Sequence, residues 1–398
     1  MFAGDRFVIL FFVLKKADIR QEYQMIRSFL LYFFIYCPLG VLCPLIGQYL
    51  SSIGFSGTQV GTVTSLGTAA AVLGGMFWGK VYANAYRKKC VIIIMFLGAA
   101  VMSVAGLSTN IFIIYAMIYS AMYFFQGPVH GLCDSMVMEG QNNFAAVRSA
   151  GALGYALAVC FAGQYAQSHG LSIIFYIYSA AFIIASLIMR GIKEPACYSS
   201  PDKKIKASEL FRNKKYVKLL ICSFFLMGTN VGNSTYFGYL FREGGGSLGG
   251  IGLAFLLMAG SEAPFMFLIP VLNRKFSSEK LLYFAIGVCT LRFAFYAAGP
   301  GWPLLLGTFF LQGISNGIIL VEIVRYFSKV VEPRLASIGV STFYAVGNNL
   351  STIVCSFIGG IMLDAFGAGG VYFFFAIWNL TAFIIYGAMG LYKEEKRV

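Results

Sequence analysis

The residues with the most chemistry in them are charged side chains set in apolar sequence. Glu262 stands in GSEAPFMF beside Pro264, and Arg292 in TLRFAFY, each a third to halfway along an apolar run. A charge at the centre of a membrane-crossing helix costs about 2.5–3.5 kcal/mol on insertion scales, so such residues mark a partner or a pathway. A carboxylate and a guanidinium on consecutive runs are placed to face each other. Either they form a static ion pair that locks two helices, or Glu262 trades a proton against its partner or a substrate. Asp134 and Arg148 fall near matching ends of two neighbouring runs, where they act as a gating ion pair or as substrate contacts. Glu322 and Arg325 lie one turn apart. With Arg87 and Lys88 they read as a latch at the cytoplasmic end, Arg325 reaching the interface by snorkelling. His130, one turn from Asp134, reads as a packed histidine.

Uncharged polar residues form a second layer. Asn230, Asn233 and Tyr236 recur every third residue in TNVGNSTYFGY, so one stripe of a helix presents amides and a phenol together. Tyr32, Tyr36, Tyr119, Gln126, Gln312, Asn316 and Asn348 lie in other apolar runs. Collected around a cavity, such groups suit a neutral, ring-bearing solute. Taken singly, each serves equally as a hydrogen bond between helices.

The elements that position these residues follow from composition. Of 398 residues, 59% are hydrophobic and 12% charged, against about a quarter charged in soluble domains. A spanning helix needs about 20 apolar residues. Twelve runs meet that requirement: 26–50, 58–82, 90–108, 111–135, 147–167 and 171–190, then 216–240, 250–272, 280–298, 302–327, 335–362 and 370–392. The predicted fold is an all-α membrane protein with 12 transmembrane helices in two parallel six-helix pseudo-repeats.

Polar sequence divides the chain into 25–190 and 216–392, joined by a basic linker at 191–215 and followed by a tail at 393–398. From Arg190 to Lys218 nine Lys or Arg face three acids, which reads as a solvated loop. Residues 1–24 read as an N-terminal extension, with Met25 a natural start, because Phe7–Leu14 is too short to span. One set of loops carries Arg87, Lys88, Lys89, Arg148, the central cations, Arg274, Lys275, Lys280, Lys329, Arg334, Lys393, Lys396 and Arg397. The alternate loops carry only Arg242. Lys and Arg concentrate on the cytoplasmic side, so both termini are expected in the cytoplasm of a cell-membrane protein.

The halves resemble each other. Arg148-Ser-Ala-Gly151 matches Arg334-Leu-Ala-Ser337, and AGQYAQSHG (Ala162–Gly170) recurs as GGIMLDAFG (Gly359–Gly367). Two such repeats around a midplane cavity are the plan of a rocking secondary transporter.

The same residues exclude other classes. No phosphate-cradling glycine loop, nucleophile elbow or Cys/His ligand pattern is present, so neither an enzyme nor a metal site is expected. The net charge of +14 sits in short loops beside helices, which speaks against nucleic acid. No cofactor is expected beyond a proton as coupling ion, and the expected partners are a small solute and the lipid bilayer, with the chain acting as a monomer.

The chain resembles the major facilitator superfamily over about residues 25–392, and within it the lactose permease-like, 3-phenylpropionate and nucleoside transporter-like branch. The superfamily's signature between helices 2 and 3 survives as Gly79-Lys-Val-Tyr-Ala83-Asn84-Ala-Tyr86-Arg87-Lys88, with its Asp and second Gly replaced. VRSAGALGYALA, Val147–Ala158, is similar to the branch's R-x-x-G-x-x-G-aromatic start of helix 5, and Glu262-Ala-Pro264 to its E-x-P. The resemblance implies that Asp134, Arg148, Glu262 and Arg292 bind sugar or couple protons. The His and Glu of helix 10 in lactose permeases correspond here to Gln312 and Ser315. Proton coupling therefore falls to Glu262, Asp134 or Glu322. The implied activity is symport of a sugar, nucleoside or aromatic acid. The alternatives are a proton-driven exporter of drugs or metabolites and a non-transporting sensor or scaffold.

Overall fold

Proline and glycine decide where the apolar runs become helices. The computed structural model describes residues 3–138, 144–192, 207–332 and 335–393, and among them every regular element is helical. Arg334 and residues 193–206 of the basic linker lie outside the described residues.

The first half contains α1 (Ala3–Leu42), α2 (Ile46–Ser52), α3 (Gly57–Asn84), α4 (Lys88–Ala105), α5 (Phe112–Gln126), α6 (Val129–Met138), α7 (Phe144–His169) and α8 (Ile173–Arg190). The second contains α9 (Lys214–Glu243), α10 (Leu248–Leu272), α11 (Ser278–Ala297), α12 (Trp302–Val330), α13 (Ala336–Thr342) and α14 (Ser351–Ala388), with a π-helical stretch, Phe343–Leu350, joining the last two.

Three runs expected to be single helices are broken. The run at 26–50 ends α1 at Leu42 and restarts at Ile46, around Pro44. The run at 111–135 breaks at Gly127–Pro128, where proline removes an amide and crowds the preceding turn. The run at 335–362 passes through the π-helical stretch, a local unwinding often found at functional sites. Conversely, the runs at 335–362 and 370–392 meet without a coil between them. α14 bends at Gly367, whose φ of 67° lies in the left-handed region that glycine tolerates.

Starts are set by serine and asparagine caps. Ser56 accepts the Gln59 amide at 3.3 Å while the Gln59 side chain accepts the Ser56 amide at 3.0 Å, a reciprocal capping box on α3. Ser247, Ser277 and Asn213 cap α10, α11 and α9 in the same sense.

Nine helical stretches among the described residues are long and apolar enough to cross a membrane. Within the first half, α1 packs on α7 and α8, α3 on α5, and α4 on α5 and α8. Within the second, α9 packs on α14, α10 on α12, and α11 on α12 and α14. The halves meet mainly through α3 with α14 and α7 with α10. One end of the bundle carries Lys88, Lys275 and Lys329 and is the basic end. One apolar core runs through the first half, from Val91 and Met189 near the basic end to Tyr49, and continues into the second half around Tyr236 and Phe375. The second half keeps a separate core at the basic end, around Tyr216, Leu282 and Tyr326.

Candidate functional site

The best-built polar cluster stands on α6 and α7. Asp134 Oδ1 accepts the Tyr32 hydroxyl at 2.5 Å, and its Oδ2 accepts Arg148 at 2.7 Å. Charge-assisted contacts of this kind are roughly twice as strong as neutral ones. The Arg148 guanidinium lies over the Tyr36 ring, 5.9 Å from its centre, and the ring of His130 meets Tyr36 edge-on at 4.5 Å. The other side of His130 contacts the Ile35 carbonyl at 3.2 Å, so it packs as well as lining the cluster. The cluster is only half closed, since the Arg148 side chain is 49% exposed and that of Asp134 27%. From the other half, Tyr344 in the π-helical stretch comes within electrostatic reach of both charges.

The glycines of Val147–Ala158 explain how the cluster is held. A Cβ at Gly154 would collide with the Phe33 carbonyl, and one at Gly151 would stand 2.5 Å from the Tyr36 ring. α7 therefore lies backbone against backbone on α1, which fixes Tyr32 and Tyr36 relative to Arg148.

Glu262 occupies the facing side of the second half. α12 approaches α10 through Gly313 and Gly317, where a Cβ on Gly317 would lie 3.2 Å from the Glu262 carbonyl. This is small-residue packing of the kind membrane helices use. Tyr155 of α7, in the first half, lies within electrostatic reach of Glu262. Glu262 thus lies on a helix that packs on the first half through α7.

The expected pairing of Glu262 with Arg292 is not what the structure contains. α10 and α11 share no extended interface, because α12 packs against both and stands between them. Arg292 is 4% exposed, lies over the rings of Phe293 (4.6 Å) and Tyr296 (5.6 Å), and its guanidinium nitrogens meet no hydrogen-bond acceptor among the described residues. Consecutive helices joined by a short turn need not be lateral neighbours. Here Gly313 and Gly317 draw α12 onto α10 in place of α11.

The polar layer divides in two. Tyr36, Asn230, Asn316 and Asn348 are half-buried. Asn230 donates to the Leu226 carbonyl at 3.2 Å, and Asn348 to the Asn349 side chain at 3.1 Å. The others lie inside helix packing. Asn233 donates to Gln312 at 3.1 Å and accepts Tyr372 at 2.8 Å, Tyr236 donates to the Ser356 carbonyl at 2.5 Å, and Gln126 accepts Tyr178 at 2.9 Å. Tyr119 is buried between Tyr115 and Tyr123. Glu322, fully buried, accepts Asn273 at 2.7 Å and Arg325 at 2.8 Å, tying α12 to the end of α10 within one half. Arg87 and Lys88 sit apart from it at the start of α4, Lys88 over the Tyr82 ring at 5.2 Å.

Residue types alone did not single out Tyr155 or Tyr344 as site residues, though Tyr155 stands in the Val147–Ala158 motif. Nor did they single out Asp364, whose carboxylate accepts the Gly57 amide at 2.5 Å and the Thr58 amide at 2.7 Å. The register of the Ala162–Gly170 repeat is the signal that finds Asp364.

Comparison with known proteins agrees with this architecture. Residues 25–374 match the family model described as MFS_1 like family. A maltose permease of Geobacillus stearothermophilus is 32% identical over 368 residues, covering 89% of this chain and 92% of the relative. A sucrose permease of Escherichia coli is 22% identical over 377 residues, covering 87% and 88%. Among solved structures, the nucleoside transporter NupG superposes with a TM-score of 0.83 at 18% identity, covering 94% of this chain and all of that one. A D-xylose–proton symporter does so at 0.71 and 12%, covering 92% and 97%. At those identities the likeness shows the fold. With its multiple apolar helices, this chain is a multi-pass membrane protein, a transporter and not an enzyme, and it belongs to the MFS_1 like family of the major facilitator superfamily.

Proposed function

We propose that the chain takes up a neutral sugar, foremost a disaccharide, across the cell membrane by alternating access, with a proton as the coupling ion. The observation that carries this reading is the half-open cluster in which Asp134 and Arg148 pair at 2.7 Å beside the Tyr36 ring. A sugar hydroxyl both donates and accepts, so a carboxylate and a guanidinium side by side can serve adjacent hydroxyls. An aromatic face suits the apolar face of a pyranose ring. The names of the maltose and sucrose permeases that resemble the chain support the same class.

The architecture we infer is twelve crossings in two six-helix halves. The bend at Gly367 makes the last apolar stretch two crossings, and α7 and α9, of 26 and 30 residues, add one each to the remainder. Matching pairings support the repeat: α3 with α5 as α10 with α12, and α4 with α8 as α11 with α14. The distribution of Lys and Arg supports cytoplasmic termini. On that reading the halves are joined at the outer end, and the conformation is inward-facing. The proposed working unit is a monomer.

Glu262 is the proposed coupling group, since it lies within electrostatic reach of Tyr155 in the other half and makes no ion pair among the described residues. The test is uptake of radiolabelled maltose, sucrose, uridine and an aromatic acid into proteoliposomes under an imposed proton gradient. Maltose or sucrose is expected to accumulate with Glu262 present, and Glu262→Gln to abolish accumulation while sparing counterflow. Uptake of uridine with neither sugar transported overturns the sugar reading. Full accumulation by the Gln variant overturns the coupling assignment, and outward pumping overturns the direction.

A further inference from the structure

The repeated motif at Ala162–Gly170 and Gly359–Gly367 has no part in the solute site, yet its register is reproduced in three dimensions. Gly163 and Gly360 correspond, and each lies backbone against backbone on the opposite half. A Cβ on Gly163 would stand 3.0 Å from the Leu248 carbonyl and 3.1 Å from Gly252 Cα, and one on Gly360 would collide with the Gly57 carbonyl. Gly170 and Gly367 correspond, and both turn the chain with positive φ, 86° and 67°. Between them Gln167 and Asp364 correspond. Gln167 Oε1 accepts the Gly249 amide at 3.1 Å, and Asp364 accepts the Gly57 and Thr58 amides at 2.5 and 2.7 Å.

The chemistry at the receiving ends is also repeated. An α-helix leaves its first amides without intrahelical acceptors. On α3 the Ser56 hydroxyl takes the third of these, from Gln59, and on α10 the Ser247 hydroxyl takes the third, from Gly250 at 3.1 Å. The earlier amides are left for the other half. We infer that Gln167 and Asp364 are paired latches. Each crosses from the end of one half to the start of a helix in the other, and together they set how strongly the non-basic end stays closed during the transport cycle. Opening that end exposes the Gly57, Thr58 and Gly249 amides, so the latches stabilise only the closed state. They differ in charge. Asp364 places an anion on the positive end of the α3 dipole and serves two amides, whereas neutral Gln167 serves one. The Asp364 latch is the stronger and sets the equilibrium.

This inference rests on the alternating-access reading above, but its test uses no solute. Spin labels at Asn110→Cys and Ala298→Cys, exposed positions at the non-basic end of the two halves, report the separation across that end in nanodiscs, with the exposed Cys90 and with Cys197 of the basic linker changed to Ser. Asp364→Ala is expected to raise the long-distance population about fivefold and Gln167→Ala about twofold, with the two effects adding in the double variant. Asp364→Asn, which keeps an acceptor oxygen and loses the charge, should fall between, and Asp364→Glu should restore the closed distribution. An unchanged distribution in the monodisperse double variant overturns the proposal. So does an equal effect of Asp364→Asn and Asp364→Ala, since charge would then carry nothing. A failed uptake assay with every solute tested would remove the sugar reading and leave this result standing.

Discussion

The two halves hold their candidate site charges in different ways. In the first, Asp134 and Arg148 are locked together and to Tyr32, and Arg148 lies over Tyr36. In the second, Glu262 and Arg292 are kept apart by α12, and Arg292 lies over aromatic faces with no hydrogen-bond acceptor among the described residues. A satisfied pair has a fixed geometry and suits recognition. An unsatisfied charge in a low-dielectric interior is costly, and such groups are where a change of proton or conformation has most to gain. The comparison assigns positioning to the first half and switching to the second.

The largest expected effect breaks the first-half pair. Arg148→Ala should lower uptake of the transported sugar about 100-fold, because it strands the Asp134 carboxylate and removes a charge-assisted contact. Arg148→Lys should recover little, since an ammonium cannot reproduce the planar fork. Radiotracer uptake into proteoliposomes checks both, and full activity of the Lys variant would reduce Arg148 to a simple charge. Next, Gly154→Val should destabilise the protein by about 2 kcal/mol through overpacking against Phe33. Melting followed by size-exclusion chromatography reads it, and an unshifted Tm would mean that α1 and α7 are not rigidly apposed. Tyr36→Ala should raise KM about fivefold with little change in maximal rate, whereas Tyr36→Phe should stay near wild type if the ring face is what the solute meets. The smallest effect sharpens the contrast. Arg292→Met should leave Tm unchanged or raise it by the equivalent of about 1 kcal/mol, since it removes an uncompensated buried charge, while Arg148→Met lowers it. A marked loss of stability in Arg292→Met would show that Arg292 has an ionic partner after all.

Much of this was readable in advance. The apolar runs, the basic loops and the Arg148-x-x-Gly151-x-x-Gly154 pattern follow from local chemistry, and the family match bears out the resemblance drawn from that pattern. Helix breaks were less legible. Pro44 and Pro128 are visible as residues, but whether a proline kinks or ends a helix depends on what packs beside it. The polar layer was the least legible. Asn230 and Asn233 stand one turn apart on a single stripe, yet one is half-buried and the other lies wholly between α9, α12 and α14.

Sequence by itself determined the solvent of this protein and its all-helical character, because hydropathy, capping and glycine spacing act over a few neighbouring residues. The tertiary structure alone decided that α12 separates Glu262 from Arg292, and that Gln167 and Asp364 reach across to the helix starts of the opposite half. Those outcomes depend on lateral order and on contacts between residues far apart in the chain, up to 307 positions for Gly57 and Asp364. No local pattern carries that information.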